Sequence, residues 1–214
     1  MKTTDNRLTA ILVAVAMAIF LPLFALKKLG PLDFFGWMSV NAVVLTILVA
    51  VLDRGWRASI AIDLENDLPF KFIVGAASAT VLYAVFFAGN IVSRLILPFA
   101  GGDIQAVYGL RDGVNMLQTA VLIAVIIGPG EELFWRVFVQ RRLSARFGGW
   151  IGLFGATSVY TIMHVTSGNL MLMAAAAVCG LYWGFIYRVT GSPVVIVVSH
   201  VLWDLAVFVF FPYR

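Results

Sequence analysis

Ionisable side chains are rare in this chain of 214 residues, and the few that it has are grouped. Two of its three glutamates stand together in the segment GPGEELFWR at 128–136, directly after a run of apolar residues. On a helix, Glu132 and Arg136 are four residues apart, so they share a face and can form an ion pair. Glu131 is rotated from Glu132 by about 100°. The spacing therefore predicts a supporting role for Glu132 and leaves Glu131 to face a cavity.

Both histidines of the chain have a polar residue four positions away. His200 is followed by Asp204 in SHVLWD, and His164 is preceded by Tyr160 in YTIMH. The surrounding runs are apolar, and an ionisable group at membrane depth costs roughly 2.5–3.5 kcal/mol on insertion scales. Such groups are retained where they pair, conduct or react, so we expect three helices to direct them into one shared interior.

A carboxylate and two imidazoles held away from bulk water suit hydrolysis. Glu131, assisted by His164, can take a proton from a water molecule that attacks a peptide carbonyl. His200 can then stabilise the oxyanion, with Asp204 orienting His200 or keeping it charged. We expect no cofactor, but the same groups could instead hold a divalent metal, with zinc at Glu131, His164 and His200. No HExxH motif is present, and the sequence leaves both mechanisms open.

The composition indicates that the lipid bilayer is the solvent of this chain. Hydrophobic residues make up 62% of it and charged residues 12%, whereas soluble domains carry about 25% charged residues. Backbone groups in lipid must pair internally, so we predict an all-α polytopic bundle of about seven transmembrane helices with a buried polar site. The predicted spans are 8–26, 34–52, 70–93, 115–140, 149–166, 168–189 and 192–211.

A single integral-membrane domain is expected over 1–214, with N-terminal helices in 1–114 and a motif-bearing catalytic core in 115–214. Within that core, a helix is expected to start after Pro129, because proline suits the first turn of a helix. The flanking Gly128 and Gly130 permit a kink or a break. Both glutamates would then lie at a helix N-terminus, where the helix dipole favours negative charge.

Seven spans divide the basic residues unequally between the two membrane faces. Nine lie on the side of the N-terminus, from Lys2 to Arg188, and five lie on the other, from Lys27 to Arg214. This imbalance predicts an N-terminus inside and a C-terminus outside. The basic loop at 141–146 is then a cytoplasmic anchor, and no nucleic-acid partner is expected.

Two other features have plain structural interpretations. The single cysteine, Cys179, cannot form an internal disulfide and is interpreted as a small residue at a helix contact. The acidic group of Asp63, Glu65 and Asp67 lacks the spacing of a calcium loop, so we interpret it as a solvated loop.

The ordered motifs resemble those of the CPBP family, which groups CAAX prenyl endopeptidase-like proteins with bacteriocin-processing (Abi) membrane proteases. The resemblance covers the chain from Gln118 to its end. Its motif positions are Glu131-Glu132-x-x-x-Arg136, a histidine in the following span at His164, and His200-x-x-x-Asp204.

The resemblance implies an α-helical intramembrane endopeptidase that depends on glutamate. In that family pattern, Glu131 activates water together with His164. His200 and Asp204 form the oxyanion site, and Glu132 and Arg136 match the remaining positions in support roles. The chain departs from the pattern at Tyr160, where Phe is usual, and at Asp204, where Asn is frequent. An anionic Asp204 cannot donate to an oxyanion, so it would be protonated or act through His200.

The implied substrate is a membrane-associated peptide or protein, such as a lipidated C-terminus, a bacteriocin leader or the C-terminal sorting tail of an exported protein. The implied location is multi-pass in a bacterial or archaeal cell membrane. Two alternatives stay open. A proton- or metal-conducting transporter would also carry Glu, His and Asp at membrane depth. A catalytically silent immunity or scaffold protein would keep the fold without the reaction.

Overall fold

A computed structural model describes residues 2–213, with side chains from Arg7 onward. Arg214 and the side chain of Lys2, both counted above among the basic residues, lie outside the described part, as does Met1. Within it every regular element is a helix, so the predicted all-α bundle is confirmed. The elements are α1 (Lys2–Leu26), α2 (Phe34–Leu52), α3 (Arg54–Leu64), α4 (Leu68–Ile96), α5 (Ala100–Tyr108), α6 (Met116–Phe147), α7 (Gly149–Met163), α8 (Leu170–Thr190) and α9 (Pro193–Phe210).

The chain is a multi-pass integral membrane protein, but the predicted number of seven spans is not confirmed. Among the described residues, α1, α2, α4, α8 and α9 are long and apolar enough to cross a membrane. The helical stretch Ala100–Arg111 together with α6 adds a sixth candidate, bent by 98°. The span predicted for 149–166 is shorter than expected, because α7 has 15 residues and ends at Met163. A 3-10 turn and Gly168, in the left-handed region with φ 63°, follow it.

Helix α6 does not begin at Pro129, and the expectation that the glutamates lie at a helix N-terminus is wrong. The helix starts at Met116, and Pro129 lies in its interior. A π-helical segment, Ile123–Ile127, directly precedes Gly128, and a second one, Trp135–Gln140, follows Phe134. The wider turns of the first segment accommodate a proline that lacks a backbone N–H. Glu131 and Glu132 therefore stand near the middle of a continuous helix.

One end of the bundle collects most of the basic side chains, and we call it the basic end. Here Arg141 Nη2 lies 2.7 Å from Asp53 Oδ2, and Arg142 Nε donates to Thr9 Oγ1 at 3.0 Å. These contacts join the start of α1, the end of α2 and the end of α6. The basic end contains Arg7, Arg54, Arg57, Lys71, Arg141, Arg142, Arg146 and Arg188.

The other end carries α5, and we call it the α5 end. Asn169 Nδ2 donates to the Asp103 carbonyl oxygen at 2.7 Å, which fixes α5 to the start of α8. The backbone N–H of Tyr213 donates to the Tyr108 hydroxyl at 3.0 Å, which ties the end of the chain to α5. The basic residues of this end within the described chain are Lys27, Lys28, Arg94 and Arg111.

The acidic group after α3 is only partly a solvated loop. Glu65 and Asp67 are exposed, as expected. Asp63 instead accepts hydrogen bonds at 2.8 Å from the Ser192 hydroxyl and from the backbone N–H of Val194, and it pairs with Lys71 at 2.7 Å. Asp63 therefore satisfies one free N–H group at the start of α9 and fixes that helix at the basic end.

Candidate active site

Glu132 is a fully buried carboxylate that contacts two partners through one oxygen. Arg136 Nη1 donates to Glu132 Oε1 at 2.8 Å, which is the pair that the four-residue spacing predicts. His200 Nδ1 lies 2.7 Å from the same oxygen. This second contact joins α6 to α9 across 68 positions of the chain, and no local pattern indicates it. Glu132 is therefore a bridge between a guanidinium and an imidazole.

Arg136 is held by more than its carboxylate partner. Its Nη2 donates to the carbonyl oxygen of Cys179 at 3.3 Å. Its guanidinium lies over the rings of Tyr160 and Trp183, at 5.0 and 5.6 Å from their centroids. A buried guanidinium needs this many partners because it carries five N–H donors and a charge. Arg136 therefore joins α6, α7 and α8 around the site.

His200 has contacts at both ring nitrogens and on one ring face. Its ring stacks on Trp183, with centroids 3.8 Å apart and 16° between the planes. Nε2 lies 3.3 Å from Asp204 Oδ2 and 3.6 Å from Glu131 Oε2, while Nδ1 contacts Glu132. Each nitrogen faces a carboxylate oxygen, which is the arrangement of an imidazolium that donates from both sides.

Glu131 has one oxygen near protein partners and one without any. The Tyr160 hydroxyl donates to Glu131 Oε2 at 3.4 Å, a long hydrogen bond, and the same oxygen faces His200. Glu131 Oε1 is buried and has no hydrogen-bond partner. The sequence identifies Tyr160 only as the polar residue four positions before His164, and the structure adds this contact with the carboxylate. Glu131 thus keeps an oxygen available to a small polar molecule.

His164 stands directly after the last residue of α7, and the end of that helix fixes its tautomer. His164 Nδ1 lies 2.9 Å from the carbonyl oxygen of Tyr160. A carbonyl only accepts, so Nδ1 carries the hydrogen and the Nε2 lone pair is free. The ring packs against Phe24 of α1, with centroids 4.2 Å apart. His164 therefore presents a hydrogen-bond acceptor inside an apolar wall.

A half-open cavity of about 370 Å³ brings the predicted groups together. Glu131, His164, His200 and Asp204 line it, together with Tyr160 and Trp183. Glu132 and Arg136 do not line it, which agrees with a supporting position behind the cavity wall. The remaining lining is mostly aromatic and aliphatic. Polar groups from α6, α7 and α9 therefore converge on one chamber, as the motif spacing predicts.

Five buried ionisable groups of the site contact one another, and the electrostatics of the site depend on them. Glu131, Glu132 and Asp204 are carboxyl groups, and Arg136 and His200 are the cationic partners within reach. Buried charges are tolerated when they are paired and hydrogen-bonded. The contacts of Glu132 are short, whereas those between Nε2 of His200 and the other two carboxyls are long. The loosely held groups are those that face the cavity.

The zinc alternative would require Glu131, His164 and His200 to direct lone pairs at one ion. Among the side chains that the structure describes, no group of three or more His, Cys, Asp or Glu residues is arranged to hold a metal ion. A histidine binds a metal through a ring lone pair. Both nitrogens of His200 instead face carboxylates, so His200 presents hydrogens to them.

The sequence did not predict the contacts by which α8 supports the site. Trp183 provides the surface under His200 and donates from Nε1 to the Ser199 hydroxyl at 3.1 Å. Gln140 Nε2 donates to the carbonyl oxygen of Gly184 at 2.7 Å and closes the site toward the basic end. Trp183 lies on α8, which carries no motif, and Gln140 lies on α6 beyond its motif, so no spacing along the chain links either residue to His200.

Residues 113–206 match the model of a protein family whose description is "Type II CAAX prenyl endopeptidase Rce1-like". No match to this chain was found among curated proteins or among solved structures. The matched segment contains all six predicted site residues and the three helices that place them around the cavity. It also agrees with the resemblance of the motifs to the CPBP group. The segment that carries the site is therefore similar to the type II CAAX prenyl endopeptidases.

Proposed function

We propose that this membrane protease cleaves a peptide bond with a water molecule activated by Glu131, and that His200 stabilises the oxyanion. One observation carries the proposal. Glu131, His164, His200 and Asp204, from three different helices, line a single half-open cavity in an otherwise apolar bundle. Isolated ionisable groups at membrane depth are costly, so their convergence on one chamber favours a reaction there.

Glu131 is the proposed general base. Its Oε1 has no partner and its Oε2 has only long contacts, so the carboxylate can accept a hydrogen bond from a water molecule in the cavity. As the water oxygen attacks the carbonyl carbon, one proton passes to Glu131. The same proton is then delivered to the amide nitrogen as the C–N bond breaks. The products are a carboxylic acid and an amine.

His164 is proposed to orient that water. Its Nδ1 donates to the carbonyl of Tyr160, so its Nε2 accepts and can bind the second hydrogen of the water molecule. Phe24 packs on the ring and limits its rotation. A water molecule held by Glu131 and His164 would have its oxygen lone pair directed away from both and toward the substrate.

His200 is the proposed oxyanion donor, with Asp204 acting through it. The Nε2–H group of His200 has only distant acceptors, at 3.3 and 3.6 Å, so an oxyanion can replace them as its partner. Asp204 keeps this nitrogen protonated, which resolves the problem that an anionic Asp cannot donate to the oxyanion itself. Glu132 positions the ring from its other side at 2.7 Å.

The experiment compares Glu131→Gln with Glu65→Gln in purified protein. Glu65 is an exposed carboxylate outside the cavity, which makes it a matched control for the same chemical change. We expect Glu131→Gln to lower kcat on a membrane-peptide substrate by about 10²–10⁴-fold, the usual contribution of a general base. Glu65→Gln should retain wild-type kcat. Equal cleavage by the wild type and Glu131→Gln would refute the assignment.

The same assay with a strong chelator separates the two mechanisms that the sequence leaves open. A water activated by Glu131 alone requires no metal, so we expect wild-type cleavage to persist. Loss of activity in chelator, with recovery on adding zinc, would favour the metal site at Glu131, His164 and His200 instead.

A further inference from the structure

The cavity extends from the polar site toward the α5 end of the bundle. On α8 and α9, the lining residues nearest the basic end are Trp183 and His200, which lie near the middle of their helices. Above them, α4, α8 and α9 each contribute the half that lies toward the α5 end, with lining residues in 85–90, 171–178 and 203–208. The residues of α5 that line it lie within 104–108. The substrate path therefore runs from the α5 end to the site.

The half of the bundle near the basic end is closed by packing. Gln140 binds the backbone of Gly184, and a Cβ added at Gly184 would come within 3.0 Å of the Gln140 side chain. Arg136 fills the space behind His200, because it contacts Glu132 and the carbonyl of Cys179. Apart from Trp183 and His200, which lie near mid-helix, no cavity-lining residue comes from the basic half of α4, α8 or α9. A substrate at the basic end therefore has no route to Glu131 through these contacts.

An opening on the side of the bundle lies between α4 and α8. Val85 and Gly89 of α4, and Ala174 and Val178 of α8, line the cavity and are exposed at the same time. Nearer the basic end, the two helices are joined by a hydrogen bond of 3.1 Å between the Ser78 and Tyr182 hydroxyls. Helix α5 crosses above the opening. We call this opening the α4–α8 slot, and its exposed apolar wall suits a chain segment that lies in lipid.

Lys and Arg are enriched in cytoplasmic loops, and this rule orients the bundle. Among the described residues, eight basic side chains lie at the basic end and four at the α5 end. Each basic residue is assigned to an end of the bundle by the contacts between helices, so the count does not depend on the number of spans. The basic end is therefore cytoplasmic, and the cavity opens into the opposite leaflet.

We propose that the substrate is the membrane-anchored tail of an exported protein, which reaches Glu131 from the non-cytoplasmic leaflet through the α4–α8 slot. The proposal rests on the proposed protease function and specifies its substrate class. An apolar tail or lipid anchor occupies the slot, and the adjoining peptide passes under α5 to the polar chamber. A tail anchored in the cytoplasmic leaflet would meet the closed, basic half of the bundle.

The first test determines the orientation by cysteine labelling in intact cells. Gln105 of α5 and Asn66 near the basic end are both exposed. The native Cys179 is buried, so the wild type should not be labelled and serves as the negative control. We expect a membrane-impermeant maleimide to label Gln105→Cys in intact cells and Asn66→Cys only after permeabilisation. The reverse pattern would overturn the proposal, and it would do so whether or not the protein is a protease.

The second test blocks the slot without disturbing the fold. A Cβ at Gly89 would have no neighbour within 4 Å, and leucine favours a helix more than glycine does, so Gly89→Leu should fold. We expect Gly89→Leu and Ala174→Leu to lower kcat/KM by about tenfold or more for a fluorophore–quencher peptide with an apolar C-terminal tail. Ala88→Leu, at an exposed neighbour that does not line the cavity, should match the wild type. Equal rates in all three variants would overturn passage through the slot.

A binding measurement separates failure of this proposal from failure of the protease function. In a Glu131→Gln background, Gly89→Cys should be alkylated more slowly when the tailed peptide is added to the outside of sealed vesicles. Protection with no cleavage by the wild type would retain the slot and refute the protease. Cleavage by the wild type with no protection would retain the protease and refute the slot.

Discussion

At the scale of single residues, His200 is the group whose surroundings are most fully specified. Glu132 holds one nitrogen at 2.7 Å, and Trp183 holds the ring face at 3.8 Å between centroids. Only the Nε2 side is loose, and that side faces the cavity. A donor fixed in this way requires little reorganisation when a negative charge develops near it, which is the condition for effective oxyanion stabilisation.

Asp204 gives a prediction that distinguishes a charge effect from a packing effect. Because the proposed mechanism uses the charge of Asp204 to keep His200 protonated, Asp204→Asn should lower kcat by about 10²-fold. Cleavage by Asp204→Asn within about tenfold of the wild type would show instead that a polar group beside His200 is sufficient. Asp204→Leu has the same number and branching of side-chain heavy atoms but no polar atom, and it should lower kcat by about 10²-fold or more. The measurement is kcat on one membrane peptide with the folded fraction checked in parallel. Equal losses in the two variants would show that the charge itself is required.

Sequence reasoning succeeded at this scale where the helical period alone determines the neighbours. The period places Glu132 beside Arg136 and Asp204 beside His200, and the structure contains both pairs. It does not determine which helices meet. The contact between Glu132 and His200 and the stack of Trp183 on His200 depend on how α6, α8 and α9 pack, so they could not be predicted.

At the scale of elements, α6 is the helix that organises the site. Two π-helical segments enclose the α-helical stretch Gly128–Phe134, which carries both glutamates. Each π turn includes one additional residue, so it changes the direction of the side chains that follow. The first segment also accommodates Pro129 inside the helix. The sequence shows the proline and its glycines, but a break and a π turn have the same signature, and only the packed structure separates them.

Gly128 tests how closely α6 and α9 approach at the site. A Cβ at Gly128 would lie 2.8 Å from Val201 Cγ2, one residue after His200. Gly128→Ala should therefore displace α9, destabilise the protein by about 1–3 kcal/mol, as overpacking does, and lower kcat. Gly102→Ala, where nothing lies within 4 Å, is the matched control and should change neither property. Thermal unfolding in detergent and kcat are the two measurements.

A second substitution checks the cause of that loss. Val201→Ala removes the side chain that the new Cβ would meet, so the double variant should recover most of the lost activity and stability. No recovery would mean that Gly128 is needed for the backbone of the π turn and not for the approach of α9.

At the scale of the whole molecule, the site depends on helices outside the matched segment 113–206. Trp56 Nε1 donates to the carbonyl oxygen of Leu133 at 2.8 Å, next to the two glutamates. Asp53 binds Arg141 at the end of the same helix. Phe24 of α1 covers the ring of His164. The N-terminal helices, which show no motif in the sequence, thus form one wall of the chamber and fix α6 from behind.

Phe24 provides the prediction for this dependence, with Phe20 as its matched control. Both are buried phenylalanines of α1, but Phe24 lines the cavity and contacts His164, whereas Phe20 does neither. Each change to alanine removes a buried ring, so the free energy of unfolding should fall by about 3–5 kcal/mol at most in both variants. Both variants should therefore unfold at lower temperature. Only Phe24→Ala frees the His164 ring and admits additional water, so kcat per folded molecule should fall only in that variant. If kcat falls equally in both variants, α1 contributes only to the stability of the fold. The position of His164 must then be set by α7 and Tyr160, without help from the N-terminal helices.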